Sequence, residues 1–168
     1  MDANSPALAR RPITDSDLPF LQQLYASTRA GELAALPWSE EQKLDFLRMQ
    51  FEAQHRHYQA HYAGDRFDLL LIDGEPAGRL YVGRWPSQIC VIDISLLPAH
   101  RGSGIGTRLL TELIEEAQQQ GKAVSVHVEK LNPARRLYLR LGFAAVEDLG
   151  IYERMEREPE VSALKQEC

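Results

Sequence analysis

The stretch Asp93-Ile94-Ser95-Leu96-Leu97-Pro98-Ala99-His100-Arg101-Gly102-Ser103-Gly104-Ile105-Gly106-Thr107 decides how the rest of the chain is read. Its first residues finish an apolar run over 88–96, rich in Ile and Val, that reads as a buried strand closed by Pro98. Its last residues open a helix whose apolar positions Leu109, Leu110, Leu113, Ile114 and Ala117 share one face and which Gly121 stops. Between them three glycines fall within five residues. Glycines let backbone N–H groups approach an anion closely, and the N-terminus of the following helix adds favourable partial charge. With Arg101 at its mouth, the turn reads as a cradle for a pyrophosphate. The plainer alternative is a tight turn whose glycines only supply positive φ. Two other phosphate loops do not fit. A dinucleotide fingerprint needs G-x-G-x-x-G, whereas Gly102, Gly104 and Gly106 are spaced two apart. A P-loop ends in Gly-Lys-Ser/Thr, whereas Gly106 precedes Thr107 and Arg108.

Upstream, Leu8 to Ile13 reads as a short strand, and Thr14-Asp15-Ser16-Asp17 has the pattern of a capping box. Pro19 suits the first turn of a helix. Leu18, Leu21, Leu24 and Tyr25 carry that helix to about Ala30, with Gly31 as its stop. Ser39 and Gln42 form a second capping box, followed by a stripe of Leu44, Leu47, Phe51, Tyr58 and Tyr62 that ends at Gly64-Asp65. The period then falls to two. Phe67 to Ile72, a turn at Asp73-Gly74 and Ala77 to Arg84 form a hairpin. Downstream, Ala123 to Val128 alternates as a strand, and Asn132-Pro133 caps and opens a helix that reaches Leu141-Gly142. Phe143 to Val146 and Ile151 to Met155 are the last strands. Hairpins first and βαβ units afterwards imply a mixed sheet. The expected fold is therefore α/β (α+β), a single domain over 1–168 with a mixed, mostly antiparallel sheet of six to seven strands and about four helices. Residues 1–8 and 157–168 read as loose termini.

Composition narrows the functional classes. A chain of 168 residues with 44% hydrophobic residues buries a core without disulfides or metals. Nineteen Lys and Arg against 24 Asp and Glu give a net charge of −5, a poor basis for binding nucleic acid. The N-terminus has no apolar signal region, and no apolar run approaches the ~20 residues that span a bilayer. The expectation is a cytoplasmic protein with no membrane partner. Cys90 and Cys168 have no metal-type spacing. His57 and His61 share a helix face, but no third ligand accompanies them, so no metal is expected.

Arg101-x-x-Gly104-x-Gly106 resembles the acyl-CoA pyrophosphate loop of the GNAT superfamily of N-acetyltransferases. Two further stretches resemble the same family. Arg11-Pro12-Ile13-Thr14-Asp15-Ser16-Asp17 is similar to its opening strand and helix start. Asn132-Pro133-Ala134-Arg135-Arg136-Leu137-Tyr138-Leu139-Arg140-Leu141-Gly142-Phe143 is similar to its late helix and following strand, about thirty residues after the loop. The resemblance implies a GNAT-like fold whose strands splay at the acyl-CoA site. It implies that an acetyl group passes from acetyl-CoA to a primary amine by direct attack in a ternary complex.

The resemblance also implies roles. Backbone amides of Arg101, Gly102, Ser103, Gly104, Ile105, Gly106 and Thr107 would hold the CoA pyrophosphate. Leu96 and Leu97 would pair with the pantetheine arm, and Asn132 and Arg135 would lie on the donor side. Tyr138 occupies the general-acid position; a phenol of ordinary pKa, ~10, lies above the thiol it would protonate. The base that takes the amine proton is open. Asp93 is a carboxylate in an apolar strand and needs either a partner or a task. Glu129 ends the next strand. The acceptor is expected to be a small-molecule amine. A protein N-terminus or lysine, or a non-catalytic acyl-CoA sensor on the same fold, are the alternatives. The oligomeric state is expected to be monomer or homodimer.

Overall fold

The computed structural model describes residues 7–160. Cys168 and most of the two expected loose termini lie outside the described residues. The elements run in the order β1 Leu8–Pro12, a 3-10 turn Asp15–Asp17, α1 Leu18–Ala34, α2 Glu40–His61, β2 Arg66–Ile72, β3 Glu75–Arg84, β4 Gln88–Leu96, a 3-10 turn Pro98–His100, α3 Ile105–Gln120, β5 Ala123–Glu129, α4 Arg135–Arg140, β6 Ala144–Leu149 and β7 Tyr152–Arg157. Seven strands form a sheet of order β1-β2-β3-β4-β5-β7-β6. β4 and β5 are parallel, joined by the α3 crossover, while β1–β2, β5–β7 and β6–β7 are antiparallel. Among the described residues no helix is long and apolar enough to cross a membrane.

The described residues divide into two compact units, 7–81 with 93–101, and 82–92 with 102–160. In the first, β1 pairs with β2 from Leu8↔Ile72 to Pro12↔Asp68. Leu21 and Tyr25 of α1, Leu47 and Phe51 of α2 and Leu69 of β2 pack as one apolar cluster. The Thr14 amide donates to Asp17 at 2.8 Å, and the Arg11 guanidinium makes two further 2.8 Å bonds to the same carboxylate. The Arg11 contact is the main reason the Asp17 pKa falls to about 2. Here the expected boundaries shift. The capping box closes a 3-10 turn, and α1 proper begins at Leu18. Gly31 does not stop α1, which continues to Ala34 because buried Leu33 outweighs the modest helix cost of one glycine. The Ser39–Gln42 capping box forms as read, but α2 ends at His61, before Gly64, and Leu44 is exposed.

In the second unit Leu109, Leu110, Leu113 and Ala117 of α3 are buried, as are Val124, Val126 and Val128 of β5. β5 pairs with β7 from Val124↔Arg157 to Glu129↔Tyr152. The late helix starts later than Asn132-Pro133 implies. Asn132 accepts a 2.9 Å bond from the Ala134 amide and so closes a turn, and α4 follows only at Arg135. The β4–β5 ladder runs from Gln88↔Ala123 to Val91↔Val126 and ends there, although β4 itself continues to Leu96 and β5 to Glu129. β4 also carries an extra residue. The Trp85 amide bonds the Gln88 carbonyl and the Leu97 amide bonds the Ala77 carbonyl, so the chain takes eight steps from Ala77 to Trp85 but nine from Gln88 to Leu97. That one-residue excess is a β-bulge in β4.

Candidate active site

In the first unit the site residues gather on β3, β4 and α2. Asp93 does not stand alone. Its Oδ2 accepts from Arg79 Nη2 at 2.7 Å and from the Tyr58 hydroxyl at 3.0 Å, and its Oδ1 accepts from the Ser95 hydroxyl at 2.8 Å. Arg79 is 3% exposed and also donates to Gln54 Oε1 at 2.8 Å. Its guanidinium carbon lies 4.9 Å from the Tyr81 ring centroid and 5.9 Å from that of Tyr58. Burial opposes the Arg79 charge, but Asp93 and the two tyrosines raise its pKa above the usual arginine value. Burial, followed by the Asp93 charge, pushes the Tyr58 phenol well above its ordinary range. The cluster holds a fixed buried ion pair rather than an isolated acid. Leu96 and Leu97 end the strand. The Leu96 carbonyl accepts from Arg101 Nε at 2.9 Å, and the Leu97 amide donates to the Ala77 carbonyl at 2.8 Å. Arg101 Nη2 donates to the Ser27 hydroxyl at 3.2 Å, which ties it to α1.

The second unit holds the glycine turn. Gly102 and Gly104 adopt φ of +75° and +86°, so the loop needs them for its path. Gly104 is the N-cap of α3 and offers no side chain to the first amides of the helix. The first N–H groups of a helix have no partner within the helix itself. Gly106 differs from its neighbours. It lies inside α3 with ordinary φ, and a Cβ there would meet only Leu137 Cδ2 at 3.9 Å, a normal contact. The fold does not require glycine at this position, the second of α3, where alanine is the better helix former. Thr107 is exposed on the first turn of the same helix.

Tyr138 is 4% exposed on α4, and its ring meets Phe143 edge-on at 5.5 Å. Arg135 pairs with the buried Glu153 of β7. Glu129 accepts from the Tyr152 hydroxyl at 3.2 Å, across the β5–β7 ladder. Arg101, Leu96, Leu97 and Asp93 thus share the first unit, while Gly102 to Thr107, Glu129, Asn132, Arg135 and Tyr138 share the second. Sequence reading missed Arg79, Tyr58 and Ser95 as the partners of Asp93. The signal was present for Arg79, a charged residue in an otherwise apolar strand, just as Asp93 is.

Residues 27–143 match the acetyltransferase (GNAT) family. The chain belongs to that family. Streptothricin acetyltransferase from Streptomyces lavendulae is 36% identical over 76 residues, 43% of this chain and 40% of that protein. L-methionine sulfoximine/L-methionine sulfone acetyltransferase from Salmonella typhimurium (strain LT2) is 50% identical over 48 residues, 27% of this chain and 28% of that protein. The chain thus spans less than half the length of either relative. The GNAT fold agrees with solved structures at low identity. An N-acetyltransferase from Thermoplasma acidophilum in complex with coenzyme A superposes with a TM-score of 0.68 at 18% identity, over 90% of this chain and 99% of that one. An acetyltransferase from Salmonella typhimurium with acetyl-CoA superposes with a TM-score of 0.56 at 22% identity, over 94% of this chain and 96% of that one.

Proposed function

We propose that this GNAT chain, acting as one N-acetyltransferase-like domain, transfers an acetyl group from acetyl-CoA to the primary amine of a small molecule. The observation that carries the donor assignment is Gly106. A glycine kept inside a helix at a cost to stability, with room for a side chain, is accounted for by a ligand that approaches its backbone closely. Gly102 and Gly104 shape the turn before it, and the first amides of α3 supply the donors for a pyrophosphate. Leu96 and Leu97 are assigned to the pantetheine arm, and Asn132 and Arg135 to the donor side of the second unit. The acceptor assignment is supported by the names of the two sequence relatives, both of which act on small molecules.

Chemistry on this chain needs a proton donor for the leaving thiolate and an acceptor for the amine proton. Tyr138 is assigned as the general acid. Asp93 and Glu129 are the two candidate bases, and they differ in what protonation costs. Neutralising Asp93 would strip the buried Arg79 of its counter-charge. Glu129, at the end of β5, accepts from the Tyr152 hydroxyl. We therefore assign proton acceptance to Glu129 and a positioning role to Asp93. The amine attacks the thioester carbonyl, the C–S bond breaks, the thiolate takes the Tyr138 proton and the carboxylate takes the proton from nitrogen. A screen of small amines by release of free CoA thiol tests this reading. Tyr138→Phe lowers kcat about a hundredfold while acetyl-CoA affinity stays near that of the wild type. A normal rate in Tyr138→Phe would remove the general-acid assignment.

A further inference from the structure

Gly78 is buried in the middle of β3, and its φ is unremarkable. What sets it apart is space. A Cβ at Gly78 would sit 2.2 Å from the Ser95 carbonyl oxygen, 3.1 Å from the Leu96 Cα and 2.9 Å from Leu96 Cδ2. Two of these atoms are backbone, so no change of rotamer relieves the conflict. The neighbouring residue adds a bond to the same place, because the Ala77 carbonyl accepts from the Leu97 amide at 2.8 Å. Ala77 and Gly78 therefore grip three successive residues, Ser95, Leu96 and Leu97, where β4 ends.

We propose that Ala77–Gly78 of β3 is a positioning clamp that fixes the path of the Ser95–Leu97 backbone for the acyl donor. The proposal rests on the acetyl-CoA reading above, since Leu96 and Leu97 are the residues assigned there to the pantetheine arm. An extended ligand pairs with a strand end only if that backbone is held in register, and a displacement of an ångström at such a site costs far more than the energy of one contact. Glycine at 78 lets β3 come close enough to hold it, and the Leu97 amide is consumed in the holding rather than offered to the donor.

Gly83 of the same strand provides a matched control. A Cβ there meets the Trp85 indole at 2.6 Å, a side chain that can move away. The experiment measures acetyl-CoA affinity by calorimetry, together with melting temperature, for the wild type, Gly78→Ala, Leu97→Pro and Gly83→Ala. Leu97 has φ −58°, which a proline ring matches, and its Cδ in place of the N–H both removes the clamp bond and pushes against the Ala77 carbonyl. Gly78→Ala and Leu97→Pro are expected to weaken acetyl-CoA binding about tenfold or more. Gly83→Ala is expected to lower the melting temperature with affinity within about twofold of the wild type. Wild-type affinity in a folded Gly78→Ala or in Leu97→Pro overturns the clamp and leaves the acetyl-CoA reading standing. If Gly78→Ala does not fold, Leu97→Pro alone decides. A folded wild type that does not bind acetyl-CoA overturns the reading itself, and the clamp falls with it.

Discussion

Asp93 accepts hydrogen bonds from Arg79, Tyr58 and Ser95, and this saturation separates a structural carboxylate from a catalytic one. Asp93→Asn preserves shape but leaves the Arg79 guanidinium buried without its anion, a loss of roughly 3–5 kcal/mol in chemical denaturation. Glu129→Gln lies at a strand end and is expected to cost under about 1 kcal/mol. It is expected to lower kcat/KM. The opposite pattern, with Glu129→Gln active at the wild-type rate and turnover lost in a folded Asp93→Asn that still binds acetyl-CoA, would transfer the base to Asp93. The sequence already posed this question by setting a carboxylate in an apolar strand. It did not answer it, because the partners come from β3 and α2, 14 and 35 residues away along the chain.

At the scale of elements, the starts of α1 and α2 and the stop of α3 at Gly121 were legible, whereas the start of α4 and the stops of α1 and α2 were not. Both capping boxes were legible because a hydroxyl and an acid or amide three residues apart interact within one turn. Those two stops depended on tertiary burial, so Gly31 was overrun and α2 ended short of Gly64. The entry to α1 makes a testable case. The Asp17 pKa is held at about 2, below its ordinary 3.8, chiefly by Arg11. A depressed carboxylate stabilises the fold above its unfolded pKa, and that stability is lost as pH falls toward the folded value. Asp17→Asn is therefore expected to cost about 1 kcal/mol at neutral pH, with the gap to wild type closing as pH falls from about 4 to about 2. A gap that persists undiminished at pH 2 would show that the charge of Asp17 contributes nothing. The bulge in β4 was not legible at all. It is a one-residue mismatch between the two strands, and alternation within β4 gave no hint of it.

For the molecule as a whole, the glycine turn between β4 and α3 was the feature the sequence displayed most openly, and it lies within residues 27–143, which match the GNAT family. The register of the seven strands and the grip of β3 on the end of β4 needed coordinates, because they depend on which distant backbones meet. The central claim is that this turn is a donor cradle rather than a bend in the chain. Gly106 tests it, because stability and function are expected to move in opposite directions there. The deciding measurement is a calorimetric titration of the wild type and Gly106→Ala with acetyl-CoA, with NAD and ATP as controls. The wild type is expected to show saturable binding of acetyl-CoA alone. Gly106→Ala is expected to bind about tenfold more weakly or worse, while its folded state is at least as stable as that of the wild type. No binding of acetyl-CoA by the folded wild type, or equal affinity in Gly106→Ala, would leave the turn a bend in the chain and not a donor cradle.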